Sequence, residues 1–278
     1  MRVVVLSPIE TSLYSKVVIH MIQQEPGLDL AGVVLRTPWT WDRFKHEIRR
    51  DGIVLVRKAW KMLVLREKAY ADAVAENVTS LSEEIGLPDL SVSELAQKYN
   101  APFIKVNNHN DQEAIDFVRE CEADVVAFTG GGLIREGMLE TTRHGVLNCH
   151  MGILPQYRGM DVVEWPFLET EAGQLPPTGI ALHVMEAGLD TGPILLTREI
   201  PWTAKDNDFV DFRRRFEYWM PVLMLDALRG LRDDSLDLQQ QKVEDGHQYY
   251  VMHNRILDAA LKRAQRLTRQ LQESGAAD

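Results

Sequence analysis

Three polar side chains of the sequence have the types and spacing that proton-transfer chemistry needs. Asn148 and His150 follow the apolar run 145–147, and because side chains alternate along an extended chain, both point to the same face. Asp190 lies in the glycine-bordered segment 188–192, and glycine lets a loop backbone come close to another strand. The sequence therefore predicts a site where an amide, an imidazole and a carboxylate act on one atom, with Asp190 within reach of His150.

The elements that would position these residues follow a strand-helix rhythm. An apolar strand over 3–6, a helix to about residue 24 and a strand over 29–35 open the chain, and further strands follow at 103–106 and 124–128. This repeat favours a mostly parallel sheet with right-handed crossovers. We expect an α/β, Rossmann-like fold with helices on both faces of the sheet and ligands beyond the carboxyl ends of the strands.

Two parts of the chain depart from this rhythm. Residues 37–90 are charged and favour helix, so we interpret them as a helical insertion. The pattern also changes after residue 202, which divides the chain into a catalytic domain at 1–202 and a small α/β extension at 203–278. For that extension the pattern predicts three elements: a helix around 209–220, a small strand pair near 236–243 and 249–252, and a charged helix from His253.

The composition limits the classes of function. The formal net charge of −10 argues against a surface that coats nucleic acid. Cys121 and Cys149 have neither disulfide nor metal-ligand spacing, so we expect a reducing compartment and no metal site. The apolar start is too short for a signal peptide, and no segment approaches ~20 continuous apolar residues. We expect a cytoplasmic protein that does not enter the membrane.

Three motifs resemble those of a known family. The segments 148–150 (NCH), 154–159 (LPQYRG) and 188–192 (GLDTG) are similar to motifs of the formyltransferases that use 10-formyltetrahydrofolate, which include glycinamide ribonucleotide, methionyl-tRNA and sugar N-formyltransferases. The similarity is strong over roughly 123–202, although Met-Gly at 151–152 replaces the Pro-Ser of many members. The resemblance implies the Rossmann-like formyltransferase fold and an enzyme of one-carbon metabolism.

The resemblance also implies catalytic roles for Asn148, His150 and Asp190. An amine that attacks a formyl carbonyl creates an oxyanion and leaves a proton on nitrogen. A protonated His150 and the amide of Asn148 would donate to the oxyanion. Asp190 would orient His150 and would accept the amine proton directly or through water. No covalent intermediate is required, and Cys149, on the opposite face of the strand, is expected to pack in the core.

Two stretches are expected to hold the pterin ring of the folate, because flat heterocycles suit apolar walls with backbone hydrogen bonds at their edges. The resemblance assigns to them Gly132, Leu133, Ile134, Val184, Met185, Glu186 and Gly188. Arg158 and Gly159 would approach the acceptor, where the guanidinium could pair with phosphate or carboxylate. A buried structural role fits Arg158 equally well.

The amine acceptor is not fixed by these motifs. Members that act on methionyl-tRNA normally carry a larger basic domain, and those that act on glycinamide ribonucleotide are shorter, so we expect a nucleotide-linked amino sugar or another small-molecule amine, with tRNA as the alternative partner. Hydrolysis of 10-formyltetrahydrofolate, with water replacing the amine, is a second alternative. A non-catalytic folate-binding protein is a third. The apolar helix pattern around 209–228 also suits a homodimer.

Overall fold

A seven-stranded sheet forms the centre of the protein. The computed structural model describes residues 1–37 and 77–275. The strands are β1 (Arg2–Ser7), β2 (Asp29–Arg36), β3 (Phe103–Val106), β4 (Val125–Phe128), β5 (Val146–His150), β6 (Tyr157–Gly159), β7 (Gly179–Val184), β8 (Ile194–Glu199) and β9 (His247–Tyr249). The large sheet has the order β3-β2-β1-β4-β5-β7-β8, and its first five strands are parallel while β7 and β8 are antiparallel to their neighbours. The expected mostly parallel, Rossmann-like sheet is confirmed.

Helices connect and cover these strands. They are α1 (Leu13–Gln24), α2 (Val78–Glu84), α3 (Val92–Lys98), α4 (Gln112–Glu120), α5 (Glu136–Leu139), α6 (Pro166–Glu169), α7 (Phe209–Arg232) and α8 (Asn254–Glu273). The start of α3 shows how local sequence sets these bounds. Ser91 and Glu94 form a reciprocal capping box, which satisfies backbone N–H groups that have no partner within the helix.

Both faces of the sheet are buried. Along β1, Val3 and Val5 belong to one core cluster, whereas Val4 and Leu6 belong to another, and all four side chains are 0% exposed. Parallel strands need such continuous apolar runs because helices cover the sheet on both sides. The predicted layers, with helices on both faces, therefore have a direct cause in the sequence.

Helix α7 buries its apolar side within the same subunit. Phe212 and Phe216 are fully buried and share a core cluster with Val3. The ring of Phe212 also meets Trp202 edge to face, with 4.9 Å between ring centroids. Truncation of such a buried phenylalanine to alanine costs about 3–5 kcal/mol. This packing explains the apolar pattern at 209–228 without a second subunit; the homodimer and the division at residue 202 stay predictions.

The segment between α7 and α8 returns to strands that lie earlier in the chain. Strand β9 pairs in parallel with β6, and the backbone of Gln239 exchanges two hydrogen bonds with Ile194 at the start of β8. The predicted strand pair between 236–243 and 249–252 is therefore wrong. Both stretches bind strands that lie earlier in the chain, a long-range pairing that local alternation does not reveal.

The interpreted insertion at 37–90 lies largely outside the described residues. Its last part contains α2, whose amino end is capped by the side chain of Asn77, and the turn that leads to α3. Among the helices of the described ranges, none combines the length and the apolar character needed to cross a bilayer.

Candidate active site

Strand β5 presents Asn148 and His150 on one face, as alternation predicted. The intervening Cys149 points the other way and joins the core cluster that contains Leu147. Burial raises the pKa of the Cys149 thiol well above its usual range, so that the thiol stays protonated. This environment fits the expected packing role of Cys149 and is unfavourable for a thiolate nucleophile.

Asp190 lies in the loop between β7 and β8 and reaches back to β5. Its Oδ2 is 3.5 Å from Nδ1 of His150 and accepts a hydrogen bond from the backbone N–H of Gly159 at 2.9 Å. Glycine is needed at position 192 because a Cβ there would stand 1.9 Å from the carbonyl oxygen of Val184. The loop can therefore fold close enough to β7 to bring the carboxylate to the histidine.

His183 is a site residue to which the sequence motifs assigned no role. The antiparallel register of β5 and β7 places it opposite Asn148. Its Nε2 lies 3.2 Å from Nδ2 of Asn148 and 3.5 Å from Oδ1 of Asp190, and its side chain is only 1% exposed. The one signal in the sequence was a histidine inside the apolar stretch 180–185, and its importance depends on a strand pairing that the sequence did not specify.

The carboxylate of Asp190 is kept ionised by its neighbours. Burial alone would raise its pKa, but the neighbouring rings of His183 and His150 and the N–H of Gly159 together outweigh burial, so the pKa lies below its usual value. A carboxylate that is charged and 11% exposed can orient imidazoles and accept a proton.

His150 is held differently from the sequence-based expectation. Its Nε2 lies 2.8 Å from the carbonyl oxygen of Tyr157, and a carbonyl oxygen only accepts, so this nitrogen carries the proton. Burial lowers the pKa of His150, although Asp190 and the Tyr157 carbonyl oppose this shift. In this conformation its Nε2–H is already engaged by that carbonyl, and the expected donation from a protonated His150 to an oxyanion stays a prediction.

A cavity of about 260 Å³ adjoins these groups. His183 and Asp190 form part of its wall. Of the residues expected to contact the folate, the cavity is lined by Leu133, Ile134, Met185, Glu186 and Gly188. Gly132 and Val184 are their immediate chain neighbours, and the N–H groups of Val184 and Met185 already donate to Pro193 and Val146 carbonyls. The structure therefore brings the two predicted stretches together beside the polar cluster.

The glycine turn at 130–132 packs against the buried side chain of His109. His109 is 1% exposed, its Nε2 lies 3.0 Å from the carbonyl oxygen of Ser7, and its ring edge faces Phe128. A Cβ on Gly131, whose φ is +122°, would stand 2.8 Å from Cε1 of His109. Burial lowers the pKa of His109 to about 4, with a further contribution from the charge of Arg36. The turn that leads into the cavity wall is thus supported by a neutral imidazole.

Arg158 and Gly159, the expected acceptor contacts, both make contacts within the protein. Arg158 is 5% exposed and donates from Nη2 to the carbonyl oxygen of Gly246 at 2.9 Å. This contact favours the structural interpretation of its guanidinium. The N–H of Gly159 binds Asp190, so this residue positions the carboxylate. Contact of either residue with an acceptor stays a prediction.

The described residues of this region do not form a cluster of metal ligands. Across the residues that the structure describes, no group of three or more His, Cys, Asp or Glu side chains has an arrangement that could hold a metal ion. The charged atoms of the site are instead the carboxylate oxygens of Asp190, each 3.5 Å from an imidazole nitrogen.

Comparison with known families gives a match over most of the chain. A model of the formyl transferase family matches residues 1–228. Among curated proteins, the methionyl-tRNA formyltransferase of Geobacter sulfurreducens is 35% identical over 113 residues, which cover 40% of this chain and 34% of the relative. That of Thermotoga maritima is 28% identical over 151 residues, 54% of this chain and 47% of the relative. The matched region therefore spans less than half the length of these relatives.

Solved structures share the architecture at low identity. The phosphoribosylglycinamide formyltransferase of Anaplasma phagocytophilum has a TM-score of 0.56 and 17% identity, covering 90% of this chain and 99% of that one. An N-formyltransferase of Helicobacter canadensis, solved with folinic acid and dTDP-3-aminofucose, has a TM-score of 0.53 and 12% identity, covering 95% of this chain and 80% of that one. At these identities, the similarity shows the fold.

Proposed function

Because the chain belongs to the formyl transferase family, whose model matches residues 1–228, we propose that it transfers a formyl group from 10-formyltetrahydrofolate to a primary amine, most simply that of a nucleotide-linked amino sugar or a similar small molecule. One observation carries the proposal. The carboxylate of Asp190 is held between His150 and His183, beside Asn148 and on the wall of a cavity with apolar sides.

These residues suit the bond changes of formyl transfer. The amine nitrogen attacks the formyl carbon, and the carbonyl oxygen becomes an oxyanion. The amide of Asn148 has two N–H donors, of which one faces His183, so the second can stabilise the oxyanion. A single such donor is typically worth about 3 kcal/mol. For His150 to be a second donor, its Nε2–H must leave the Tyr157 carbonyl, which it binds in this structure, and turn to the oxyanion.

Proton removal is the task proposed for Asp190. As the new carbon–nitrogen bond forms, the attacking nitrogen becomes acidic, and the ionised carboxylate accepts its proton directly or through water. Cleavage of the bond between the formyl carbon and N10 of the folate then releases a formamide and tetrahydrofolate, with the proton returned to N10. The N–H of Gly159 donates to the carboxylate and keeps it between the imidazoles of His150 and His183.

The cavity residues fit the ring of a folate donor. Leu133, Ile134 and Met185 supply apolar walls, and the backbone of 186–189 passes along the cavity, where it can pair with the edge of a heterocycle. At about 260 Å³ the cavity suits the ring portion, while the rest of a folate would extend to the surface. The bound donor would supply the formyl carbon beside Asp190.

Methionyl-tRNA is the second candidate acceptor, and the curated relatives favour it, since those reported above are methionyl-tRNA formyltransferases. The net charge of −10 favours a small molecule, because RNA backbones are recognised by basic surfaces. Hydrolysis of the donor would use the same residues with water as the nucleophile. These three outcomes differ in their products, which makes them separable in one experiment.

The test begins with calorimetric titration of 5-formyltetrahydrofolate, a stable stand-in for the donor, into the wild type, Asn148→Ala and the exposed control Asn207→Ala. We expect saturable binding to all three. Absence of binding by the folded wild type up to millimolar ligand would contradict the proposal.

The second step incubates the same proteins with 10-formyltetrahydrofolate and, in turn, nucleotide-linked amino sugars, methionyl-tRNA and no acceptor. A formylated amino sugar supports the proposal. Formylated methionyl-tRNA would identify methionyl-tRNA as the acceptor instead of an amino sugar, and formate released without an acceptor would indicate hydrolysis. We expect Asn148→Ala to lower the rate on the order of 100-fold, since it removes an oxyanion donor, while Asn207→Ala keeps the wild-type rate. Donor binding without any product would indicate a binding protein.

A further inference from the structure

A C-terminal segment, which we name the strap and define as residues 239–249, completes the candidate site. It begins after the last residue of the family match, 228. At one end, Gln239 pairs with Ile194 through two backbone hydrogen bonds of 2.9 Å. At the other end, β9 pairs with β6. The strap therefore joins the strand that follows the Asp190 loop to the strand whose Gly159 binds the carboxylate.

Within the strap, Gln241 lies directly against the Asp190 loop. Its Nε2 donates to the backbone carbonyl of Asp190 at 3.1 Å and also to that of Gly192. Carbonyl oxygens only accept hydrogen bonds, so the amide must face the loop with its NH₂ group. One side chain thus fixes two carbonyl groups, one on each side of Thr191.

The Asp190 backbone needs such support. Asp190 has a φ of +53°, a left-handed conformation that is unfavourable for residues other than glycine and persists when surrounding contacts fix it. On the side-chain face, the N–H of Gly159 holds Oδ2. Gly159 lies opposite Tyr249 of the strap, and the next residue, Met160, donates its N–H to the carbonyl of Tyr249 at 3.1 Å.

We infer that Gln241 is a positioning residue for Asp190: by binding the carbonyl oxygens of Asp190 and Gly192, it holds the loop so that the carboxylate stays between the two imidazoles. The inference rests on the proposed function, in which Asp190 accepts the amine proton. Gln241 lies beyond the residues that match the family, 1–228, whereas the carboxylate that it would orient, that of Asp190, lies within them.

The test is a histidine titration by NMR on the full chain, which needs no acceptor. Asp190 raises the pKa of His150, so displacement of the carboxylate away from the ring lowers this pKa further. The proteins are the wild type, Gln241→Met, Asp190→Asn and the double variant, with Gln240→Met, at the exposed neighbouring glutamine, as the matched control. Urea unfolding midpoints establish that each variant is folded, and Gln241→Asn, which is too short to reach the loop, replaces Gln241→Met if that variant does not fold.

We expect Gln241→Met to lower the pKa of His150 towards the value in Asp190→Asn, with no additional change in the double variant, because two changes that act through one group are not additive. Gln240→Met should match the wild type. An unchanged His150 titration in Gln241→Met, or an equal shift with and without Asp190, would overturn the inference.

Titration of 5-formyltetrahydrofolate separates this result from the proposed function. If Gln241 positions Asp190 without forming the donor site, Gln241→Met should bind the donor analogue as the wild type does. Failure of every protein, including the wild type, to bind the analogue would remove the proposed function while leaving the histidine titration to decide the inference on its own.

Discussion

Acid conditions should destabilise this protein through His109, and the effect can be calculated. The buried ring has a pKa of about 4 in the folded protein, whereas an unfolded histidine has a pKa of about 6.5. As the pH falls below 6.5, the unfolded chain binds a proton that the folded chain does not, so stability decreases until the pH reaches the folded pKa. The affected window therefore runs from about pH 6.5 down to about pH 4.

The magnitude follows from the separation of the two pKa values. Each pKa unit corresponds to about 1.4 kcal/mol, so His109 should remove about 2 kcal/mol of the free energy of unfolding between about pH 7 and about pH 5, and about 3 kcal/mol by about pH 4. The side chain is 1% exposed, so solvent screening reduces this effect little.

Urea unfolding of the wild type and His109→Gln at about pH 7 and about pH 5 measures this effect. The glutamine amide can still donate to the carbonyl of Ser7, which the imidazole contacts at 3.0 Å, but it does not titrate. We expect the wild type to lose about 2 kcal/mol more than the variant between the two conditions. His247→Gln, at an exposed histidine, should behave as the wild type. Equal losses in the wild type and His109→Gln would refute the reasoning.

Three further predictions concern the site. Asp190→Asn should lower the rate of formyl transfer by roughly 100- to 10,000-fold, as loss of a general base does, with much less change in 5-formyltetrahydrofolate affinity; equal losses of both would contradict its role. Gly159→Ala should separate β6 from β9 and weaken transfer, because its Cβ would stand 2.2 Å from the carbonyl oxygen of Tyr249 at a φ of +102°, and wild-type kinetics would show that the contact is dispensable. Cys149→Ala should keep transfer, since burial raises the pKa of its thiol, and a complete loss of activity in a folded variant would contradict its assignment to core packing.

The sequence was informative wherever structure depends on local pattern. Strand alternation predicted that Asn148 and His150 share a face, and the capping box of Ser91 and Glu94 marks the start of α3 through residues only three positions apart. The buried strands were recognisable because a sheet covered on both faces needs continuous apolar runs. These features depend on residues that are close together along the chain.

The remaining features depend on contacts between distant segments. His183 enters the site because β5 and β7 are antiparallel, and Gln241 does so because the strap returns to a loop 51 residues earlier. The engagement of His150 depends on the Tyr157 carbonyl, whose position follows from the turn after β5. The residue types at these positions do not reveal such partners, because histidine and glutamine also form hydrogen bonds in many places outside functional sites.

The pairing of β6 with β9 has a consequence for the order in which the protein folds. Arg158 of β6 pairs with Gln248 of β9, so this contact closes a loop of about 90 residues and forms late compared with the local strand-helix units. During synthesis, strands β1 to β5 and the described helices between them can begin to bury their apolar faces before the strap leaves the ribosome. The core would then assemble before the candidate site is complete, because Gln241 reaches the Asp190 loop only after the strap has been made.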